Sequence, residues 1–393
     1  MKKPPAMPWL PEDGLTGTLV GRAWVPGLLA GPSVIVLRPD GVYDLSDAFA
    51  TMSDLLDAAD PVALVRAAPG RHVGTIDQLM PKVGPQALDR HALHLLAPCD
   101  LQVIKAAGVT FAASLIERVI EEQARGDAGL AASVRQQVVE LLGGNLNAIR
   151  PGSPQAMQLK ALLIQKGLWS QYLEVGIGPD AEVFTKAPVL SSVGSGAQVG
   201  IHPGSAWNNP EPEIVLAVNS RGSAVGASLG NDVNLRDFEG RSALLLGKAK
   251  DNNASCAIGP FIRLFDASYS IDDVRQCTVS LQVEGSDGFE MQGSSSMAQI
   301  SRDPLDLVAQ TLGAHHQYPD GVMLFLGTMF APTQDRGQSG SGFTHHLGDV
   351  VRISSPQLGL LVNEVNHCDQ VAPWTFGLRA FYANLSARGL LAT

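Results

Sequence analysis

The sequence predicts an α+β protein in which a small N-terminal α+β domain and a helical arm precede a mixed, β-rich catalytic domain. Short apolar runs alternate with Gly, Pro and Asp over residues 15–97, and the same pattern returns from Tyr172 onward. Between them, residues 111–170 carry apolar side chains at helical spacing. The 41 glycines and 25 prolines favour turns and strands over a helical bundle. We therefore expect domains over 1–97 and 98–393.

The N-terminal segment predicts three short strands, at 17–26, 33–39 and 41–46, because each apolar run there is bounded by turn residues. Residues 54–68 predict a short helix that is interrupted at Pro61. A strand-like pattern over 98–107 opens the second domain.

The arm at 111–170 predicts two or three helices. Residues 111–144 end in Gly143-Gly144, which is typical of a helix C-terminus, and Ser153 is a candidate cap for the helix that follows. Simple core packing accounts for most apolar side chains of this arm. In the second domain, short strands are predicted over the segments 213–219, 277–285, 321–330, 349–356 and 358–365, with one helix at 303–317.

Composition excludes several classes of protein. With 45% hydrophobic and 17% charged residues, the chain is neither disordered nor fibrous. A net charge of -10, with no run of Lys and Arg, argues against nucleic-acid binding. The apolar stretch at 322–332 is too short to span a membrane, for which about 20 residues are needed. The four cysteines form no C-x-x-C pair and are expected to be reduced thiols, so we expect a cytoplasmic protein.

Carboxylates concentrate around an apolar run that begins at Glu213. Glu211 and Glu213 are two residues apart, which on a strand places both side chains on one face. A hairpin through residues 219–222 could bring Asp232 opposite them. Three carboxylates would suit Mg²⁺, with Mn²⁺ as a second possibility. A solvated strand start is the alternative interpretation of the two glutamates alone.

Two lysines, Lys248 and Lys250, follow three leucines and precede an apolar segment. A lysine enclosed near carboxylates can act as a general acid or base. Both could instead extend their ammonium groups into solvent, and this reading is favoured for Lys248.

Two other patterns are weaker. Residues 226–230 match G-x-S-x-G, but no helical periodicity follows, so a nucleophile elbow is disfavoured. The pairs His315-His316 and His345-His346 are expected at surface or turn positions without a metal.

The order and spacing of these residues resemble the fumarylacetoacetate hydrolase superfamily. The resemblance rests on E-x-E at 211–213, N-D-x-x-x-R-D at 231–237, a lysine nine residues before Gly259-Pro260, and a late L-G-T at 326–328. It covers roughly residue 98 to the C-terminus. It implies a mixed β-roll catalytic domain and Mg²⁺ bound by Glu211, Glu213 and Asp232. It also implies that Lys250, not Lys248, is the site lysine.

The sequence departs from the pattern of this family at a position that matters for the reaction. Hydrolytic members of the family carry H-x-x-E before this domain, whereas this chain has Ser114 and Glu117. A serine has no pKa near 7 and cannot replace histidine as a base. A fourth acidic ligand of the eukaryotic hydrolase corresponds here to Ala107. Phrases such as those at 208–213 and 249–261 look like the sugar-acid dehydratases of the superfamily.

The resemblance therefore implies a Mg²⁺-dependent dehydratase acting on a small 2-oxo sugar acid. Lys250 is the expected base, Glu117 the expected proton donor, and the expected substrate-binding residues are Phe111, Ser114, Arg236, Gly327 and Thr328. Two alternatives stay open: a carbon–carbon hydrolase of a 2,4-dioxo acid, and a non-catalytic protein that binds a small acid. We expect a homo-oligomer, with no nucleic-acid or membrane partner.

Overall fold

The computed structural model describes residues 9–125, 127, 129–131, 149–165, 169–330, 332–337 and 342–391, without the side chains of 112–114. Its strands are β1 (Leu19–Val25), β2 (Gly31–Arg38), β3 (Gly41–Asp44), β4 (Arg71–Gly74), β5 (His94–Leu96), β6 (Val103–Gly108), β7 (Glu182–Ala187), β8 (Gln198–Ile201), β9 (Asn208–Asn209), β10 (Pro212–Val218), β11 (Ala224–Asp232), β12 (Asn234–Leu235), β13 (Cys256–Leu264), β14 (Thr278–Glu284), β15 (Glu290–Ser296), β16 (Val322–Phe325), β17 (Val350–Ser355) and β18 (Gly359–His367).

The helices among the described residues are short. They are α1 (Met52–Leu56), α2 (Pro61–Ala67), α3 (Ile76–Leu79), α4 (Ala112–Gln123), α5 (Pro154–Gln165), α6 (Gln171–Ile177), α7 (Arg236–Glu239), α8 (Leu246–Lys250), α9 (Ile271–Gln276), α10 (Pro304–Thr311) and α11 (Leu378–Ala387). Pro61 begins α2, because proline is well accommodated in the first turn of a helix. None of these helices is long and apolar enough to cross a membrane.

Two large sheets form the body of the protein. The first has eleven strands in the order β4-β3-β2-β1-β13-β11-β10-β16-β6-β7, with β5 paired to β1. The second has the order β15-β14-β17-β18-β8. Most pairs are antiparallel, but β16 runs parallel to β6 and β18 parallel to β8. This mixed β architecture confirms the predicted α+β class.

The first sheet is covered on both faces. One apolar cluster includes Leu216 and Leu229 with Leu281 and Ile353 of the second sheet. Another packs Val215 against Met52 and other residues of the N-terminal segment. All residues of β10 and β13 and most residues of β11 are buried, as expected for strands in the middle of a sheet that is covered on both faces.

Strands of the N-terminal segment and of the catalytic segment lie in the same sheet. In the antiparallel pair between β1 and β13, Leu19 lies opposite Arg263. The expected boundary at residue 97 falls between β5 and β6. The 98–107 segment forms β6 from Val103, and the helix expected at 303–317 ends at Thr311.

The arm packs as helices beside this body. Leu115, Val119 and Ile120 of α4 join Leu173 of α6 and Trp207 in a separate apolar cluster. Part of the predicted arm, at 132–148, lies outside the described residues. This packing brings Arg118 of α4 into contact with Glu211, the residue that precedes β10.

Candidate metal and catalytic site

The carboxylates of Glu211, Glu213 and Asp232 converge at the end of one hairpin. Pro212 of β10 lies opposite Asn231 of β11, and the Asp232 N–H donates to the Glu211 carbonyl at 3.0 Å. All three side chains are buried, and one oxygen of each lies within 4.8 Å of the others. The hairpin therefore brings together the acids that the sequence singled out. Three converging hard oxygen donors fit a Mg²⁺-type cation.

Lys250 bridges two of these carboxylates. It ends α8 and is buried, and its Nζ lies 2.5 Å from Glu211 Oε2 and 3.0 Å from Asp232 Oδ2. Burial alone would lower the pKa of Lys250, but the charges of Asp232 and Glu211 outweigh it and raise the pKa. Lys248 differs: it is exposed, and its Nζ lies 5.2 Å from the ring centre of Phe238. The spacing argument thus selected the lysine that contacts the carboxylates.

A second lysine, Lys186, was not predicted. It belongs to β7, is fully buried, and places its Nζ 2.8 Å from Asp232 Oδ1. The same Nζ donates to the carbonyls of Val233, at 3.1 Å, and of Lys250. Burial alone would raise the pKa of Asp232, but Lys186 and Lys250 hold it below its usual value. Asp232 is therefore a carboxylate held between two ammonium groups.

An arginine of the arm was also missed. Arg118 of α4 is buried and donates to Glu211 Oε1; its Nη1 lies 2.7 Å from Glu121 Oε2 and 3.0 Å from Glu239 Oε2. Arg236 Nε lies 3.2 Å from Glu121 Oε1. These ion pairs tie the arm to the carboxylate cluster.

Glu213 differs from its neighbours because it accepts a hydrogen bond from the backbone. The N–H of Gly327 donates to Glu213 Oε2 at 2.7 Å. Burial, reinforced by the charges of Asp232 and Glu211, raises the pKa of Glu213 well above its usual range. Gly327 has φ 101°, and a Cβ there would lie 2.0 Å from Thr110 Oγ1. Only glycine fits this position, which explains its place in the L-G-T sequence.

The other expected site residues occupy varied positions. Arg236 is buried and its Nε donates to Asn209 Oδ1 at 2.9 Å, so it also supports the loop before Glu211. Thr328 is buried, and its hydroxyl donates to the Phe330 carbonyl at 3.3 Å. Phe111 is buried in the main core immediately before α4. Glu117 lies half-buried in α4, and the Ser114 side chain lies outside the described residues.

A further carboxyl lies close to this charged cluster. Glu182 begins β7 opposite Gly108 of β6, and its Oε2 lies against the Gly108 backbone. Burial, together with the negative charge of Glu239, raises the pKa of Glu182 to about 7. A carboxyl with such a pKa can hold a proton at neutral pH and release it.

The disfavoured patterns have structural explanations. Residues 226–230 lie inside β11, which is a strand and not the sharp turn that a nucleophile elbow requires. His315 and His316 are exposed, as expected. The expectation for His345 was wrong: it is buried, and its Nδ1 lies 3.1 Å from Asp349 Oδ2. Its partner is a carboxylate that also binds Arg336.

Comparison with known proteins identifies the catalytic segment. Residues 171–366 match the family described as fumarylacetoacetate (FAA) hydrolase C-terminal. A protein of Haloferax volcanii named "Probable 2-keto-3-deoxyxylonate dehydratase" is 26% identical over 328 residues, which is 84% of this chain and 93% of that protein. The 2-dehydro-3-deoxy-D-arabinonate dehydratase of Saccharolobus solfataricus is 31% identical over 187 residues, covering 47% of this chain and 58% of that protein.

A solved structure shares the fold. It is a 2-keto-3-deoxy-D-arabinonate dehydratase complexed with magnesium and 2,5-dioxopentanoate. It has 18% sequence identity and a TM-score of 0.56, and the match covers 89% of this chain and 99% of that one. The predicted fold of the β-rich segment is thereby confirmed.

Proposed function

Residues 171–366 belong to the fumarylacetoacetate hydrolase family, and from this premise we propose that the chain is a lyase that dehydrates a 2-keto-3-deoxy sugar acid. The proposed substrate is 2-keto-3-deoxy-D-xylonate, and the product is 2,5-dioxopentanoate. Without a C3 hydroxyl, 2-keto-3-deoxy-D-arabinonate is the same molecule. Such a reaction belongs to the non-phosphorylated oxidation of pentoses. The observation that carries the proposal is the buried acidic triad bridged by Lys250, in a chain whose relatives are named dehydratases.

The triad of Glu211, Glu213 and Asp232 would hold the cation, which we propose to be Mg²⁺. A Mg²⁺ ion bound there would act as a Lewis acid toward the carboxylate and keto oxygens of the substrate, and would make the C3 proton more acidic. The donors fit this role because all three are carboxylates, which hard cations prefer.

Proton transfer requires a base near C3 and an acid near the C4 hydroxyl. We assign the first role to Lys250, whose Nζ contacts two carboxylates of the triad. These carboxylates raise the pKa of Lys250, so it would act as a base only where a bound cation offsets their charge. Glu117 of α4 is the proposed acid. Glu182 is a second candidate, because its carboxyl lies near the same charged cluster and has a pKa of about 7. Arg236, Gly327 and Thr328 would position the substrate or the ligands.

The arm would exclude water from the reacting groups. Arg118 reaches from α4 to Glu211 and Glu239, and its side chain is only 7% exposed. A closed site favours elimination, since free water would compete for an activated intermediate. Ser114 stands where a hydrolase of the resembled family would have its histidine, and a serine cannot replace that histidine as a base. This difference supports dehydration over hydrolysis of a 2,4-dioxo acid.

The deciding experiment compares two substrates. Purified protein with Mg²⁺ is incubated with 2-keto-3-deoxy-D-xylonate, and the aldehyde product is oxidised by a semialdehyde dehydrogenase. A parallel sample receives 5-hydroxy-2,4-dioxopentanoate and is assayed for pyruvate and glycolate. Faster formation of the aldehyde supports the proposal. Faster cleavage of the dioxo acid would replace it with the hydrolase, and no product from either would favour a binding protein.

A further inference from the structure

A cleft of about 380 Å³ lies away from the acidic triad, between the N-terminal strands and the segment that precedes α11. This volume falls within the roughly 300–1,000 Å³ typical of ligand pockets. Its walls come from β1, β5, the 190–194 loop, the loop at 253–254 and the segment 372–376. None of the triad residues, nor Lys186 or Lys250, lines it.

Aromatic rings form one side of this cleft. The Trp24 and His94 rings are stacked, with centroids 6.4 Å apart, and Phe376 meets Trp24 edge-on at 6.0 Å. Trp374 is 47% exposed, and its ring stacks on no other ring of the described residues. Its indole N–H donates to the Phe376 carbonyl at 3.2 Å, which fixes the ring in place. Such a wall offers flat apolar surface to a planar molecule.

The polar groups of the cleft favour an anion. Arg22 and Arg90 line it, and no Asp or Glu does, in a chain whose net charge is -10. Arg22 is buried, its Nη1 donates to the carbonyls of Ala97 and Cys99, and its Nε lies 3.6 Å from Asp100 Oδ2. The charge that is open to a ligand is therefore that of Arg90. Arg90 lies 5.1 Å from the Trp24 ring centre and makes no ion pair within the described part of the chain. A guanidinium in this position is available to a carboxylate.

Backbone donors belong to the 190–194 loop, which also lines the cleft. The N–H groups of Ser192 and Gly194 donate no hydrogen bond to any residue that the structure describes. The neighbouring Val193 N–H, in contrast, donates to the Cys256 carbonyl at 2.9 Å and so fixes the loop. Free N–H groups on a fixed loop can bind carboxylate oxygens.

We propose that this cleft is a second ligand site, which binds a planar organic carboxylate between its aromatic wall and Arg90. It differs in chemistry from the triad, which has three carboxylates and suits a cation. The two sites are close along the chain, because Asn253 and Ala254 of the cleft lie between Lys250 and β13. The proposal does not depend on the reaction that the triad performs.

The test uses 2-naphthoate as the probe and calorimetry as the measurement, with pyruvate and Mg²⁺ present to occupy the triad. We expect saturable binding with a Kd of about 1 mM or tighter. The neutral analogue 2-naphthalenemethanol should bind about tenfold more weakly, because it lacks the charge-assisted hydrogen bonds. No binding, or equal binding of acid and alcohol, would overturn the proposal.

Two variants locate the binding. Arg90→Met should weaken the binding of 2-naphthoate severalfold and leave the binding of 2-naphthalenemethanol unchanged. Trp374→Ala should weaken the binding of both compounds. Arg241→Met is the matched control, since Arg241 also lies over an aromatic ring, Phe238, but outside the cleft. Unchanged affinity in both cleft variants, or loss of 2-naphthoate binding when pyruvate and Mg²⁺ are added, would place the anion elsewhere and refute the assignment.

Discussion

Replacing Lys186 by methionine tests how the carboxylate site is held together. Methionine has a similar length but no charge, so Asp232 would lose a partner at 2.8 Å and keep only Lys250. The carbonyl of Val233 would lose its donor at 3.1 Å. Breaking one side of a buried ion pair costs about 3–5 kcal/mol. We expect Lys186→Met to lower the free energy of unfolding by that amount when no metal is present.

The measurement is urea unfolding followed by circular dichroism in EDTA. Lys105→Met is the control, because Lys105 is a half-buried lysine of the neighbouring strand β6 whose side chain has a single hydrogen-bond partner among the described residues, Thr185 Oγ1, at 3.0 Å. Lys105→Met should lower the free energy of unfolding by less than about 1 kcal/mol. A double variant combines Lys186→Met with Asp232→Asn. Because the two side chains interact, Asp232→Asn should lower the free energy of unfolding less in the Lys186→Met background than in the original chain. Additive losses, or a loss below about 1 kcal/mol for Lys186→Met, would refute the reasoning.

Four further outcomes are expected. Lys250→Ala should reduce turnover at least about 100-fold, whereas Lys248→Ala should change it little. Mg²⁺ should raise the melting temperature of the original chain but not of Glu213→Gln, and EDTA should abolish activity. Gly327→Ala should destabilise the fold by about 1–3 kcal/mol, because its Cβ would meet Thr110, and weaken Mg²⁺ binding by displacing Glu213. Three results would contradict these expectations. They are equal turnover of the two lysine variants, a rise in the melting temperature of Glu213→Gln on addition of Mg²⁺, and a Gly327→Ala variant with the stability and Mg²⁺ affinity of the original chain.

The fourth outcome concerns pH. Burial would raise the pKa of Asp349, but His345 and Arg336 outweigh it and lower the pKa from 3.8 to about 2. A depressed carboxyl pKa stabilises the fold above pH 3.8, and that stability is lost as the pH falls toward 2. Asp349→Asn should therefore cost about 2 kcal/mol at pH 7 and flatten the pH dependence of unfolding below pH 4, unlike Asp272→Asn at an exposed carboxyl. Parallel acid-unfolding curves for the original chain and Asp349→Asn would contradict this.

The sequence predicted features that are local along the chain. The strands β10, β14 and β17 follow from apolar runs between turn residues. The E-x-E pattern and the return of the hairpin place Glu211 and Asp232 together, because antiparallel neighbours in sequence pair in space. Lys250 was selected by its spacing to Gly259-Pro260, which was recognised only from the family resemblance.

Contacts between distant segments could not be predicted in this way. Lys186 and Asp232 belong to β7 and β11, which lie in the same sheet but are not neighbours. Arg118 contacts Glu211 from a helix, α4, whose position relative to the sheet is not set by strand pairing. On periodicity alone, a lysine in a strand and an arginine in a helix are expected at the surface. No usable signal marked them in the sequence, because Glu117 precedes Arg118 and Thr185 precedes Lys186, so neither residue stands inside an apolar run.

The distribution of charge explains why so many cations surround a site suited to another cation. Glu211 contacts Lys250 and Arg118, and Asp232 contacts Lys250 and Lys186. Such pairs offset the repulsion between buried carboxylates, which would otherwise oppose folding before a metal is bound. Because β7, α4 and α8 each supply one of these cations, the carboxylates can assemble only when the arm and the sheet pack together. The site is therefore a product of the whole catalytic segment, and short motifs can identify its ligands but not the residues that hold them.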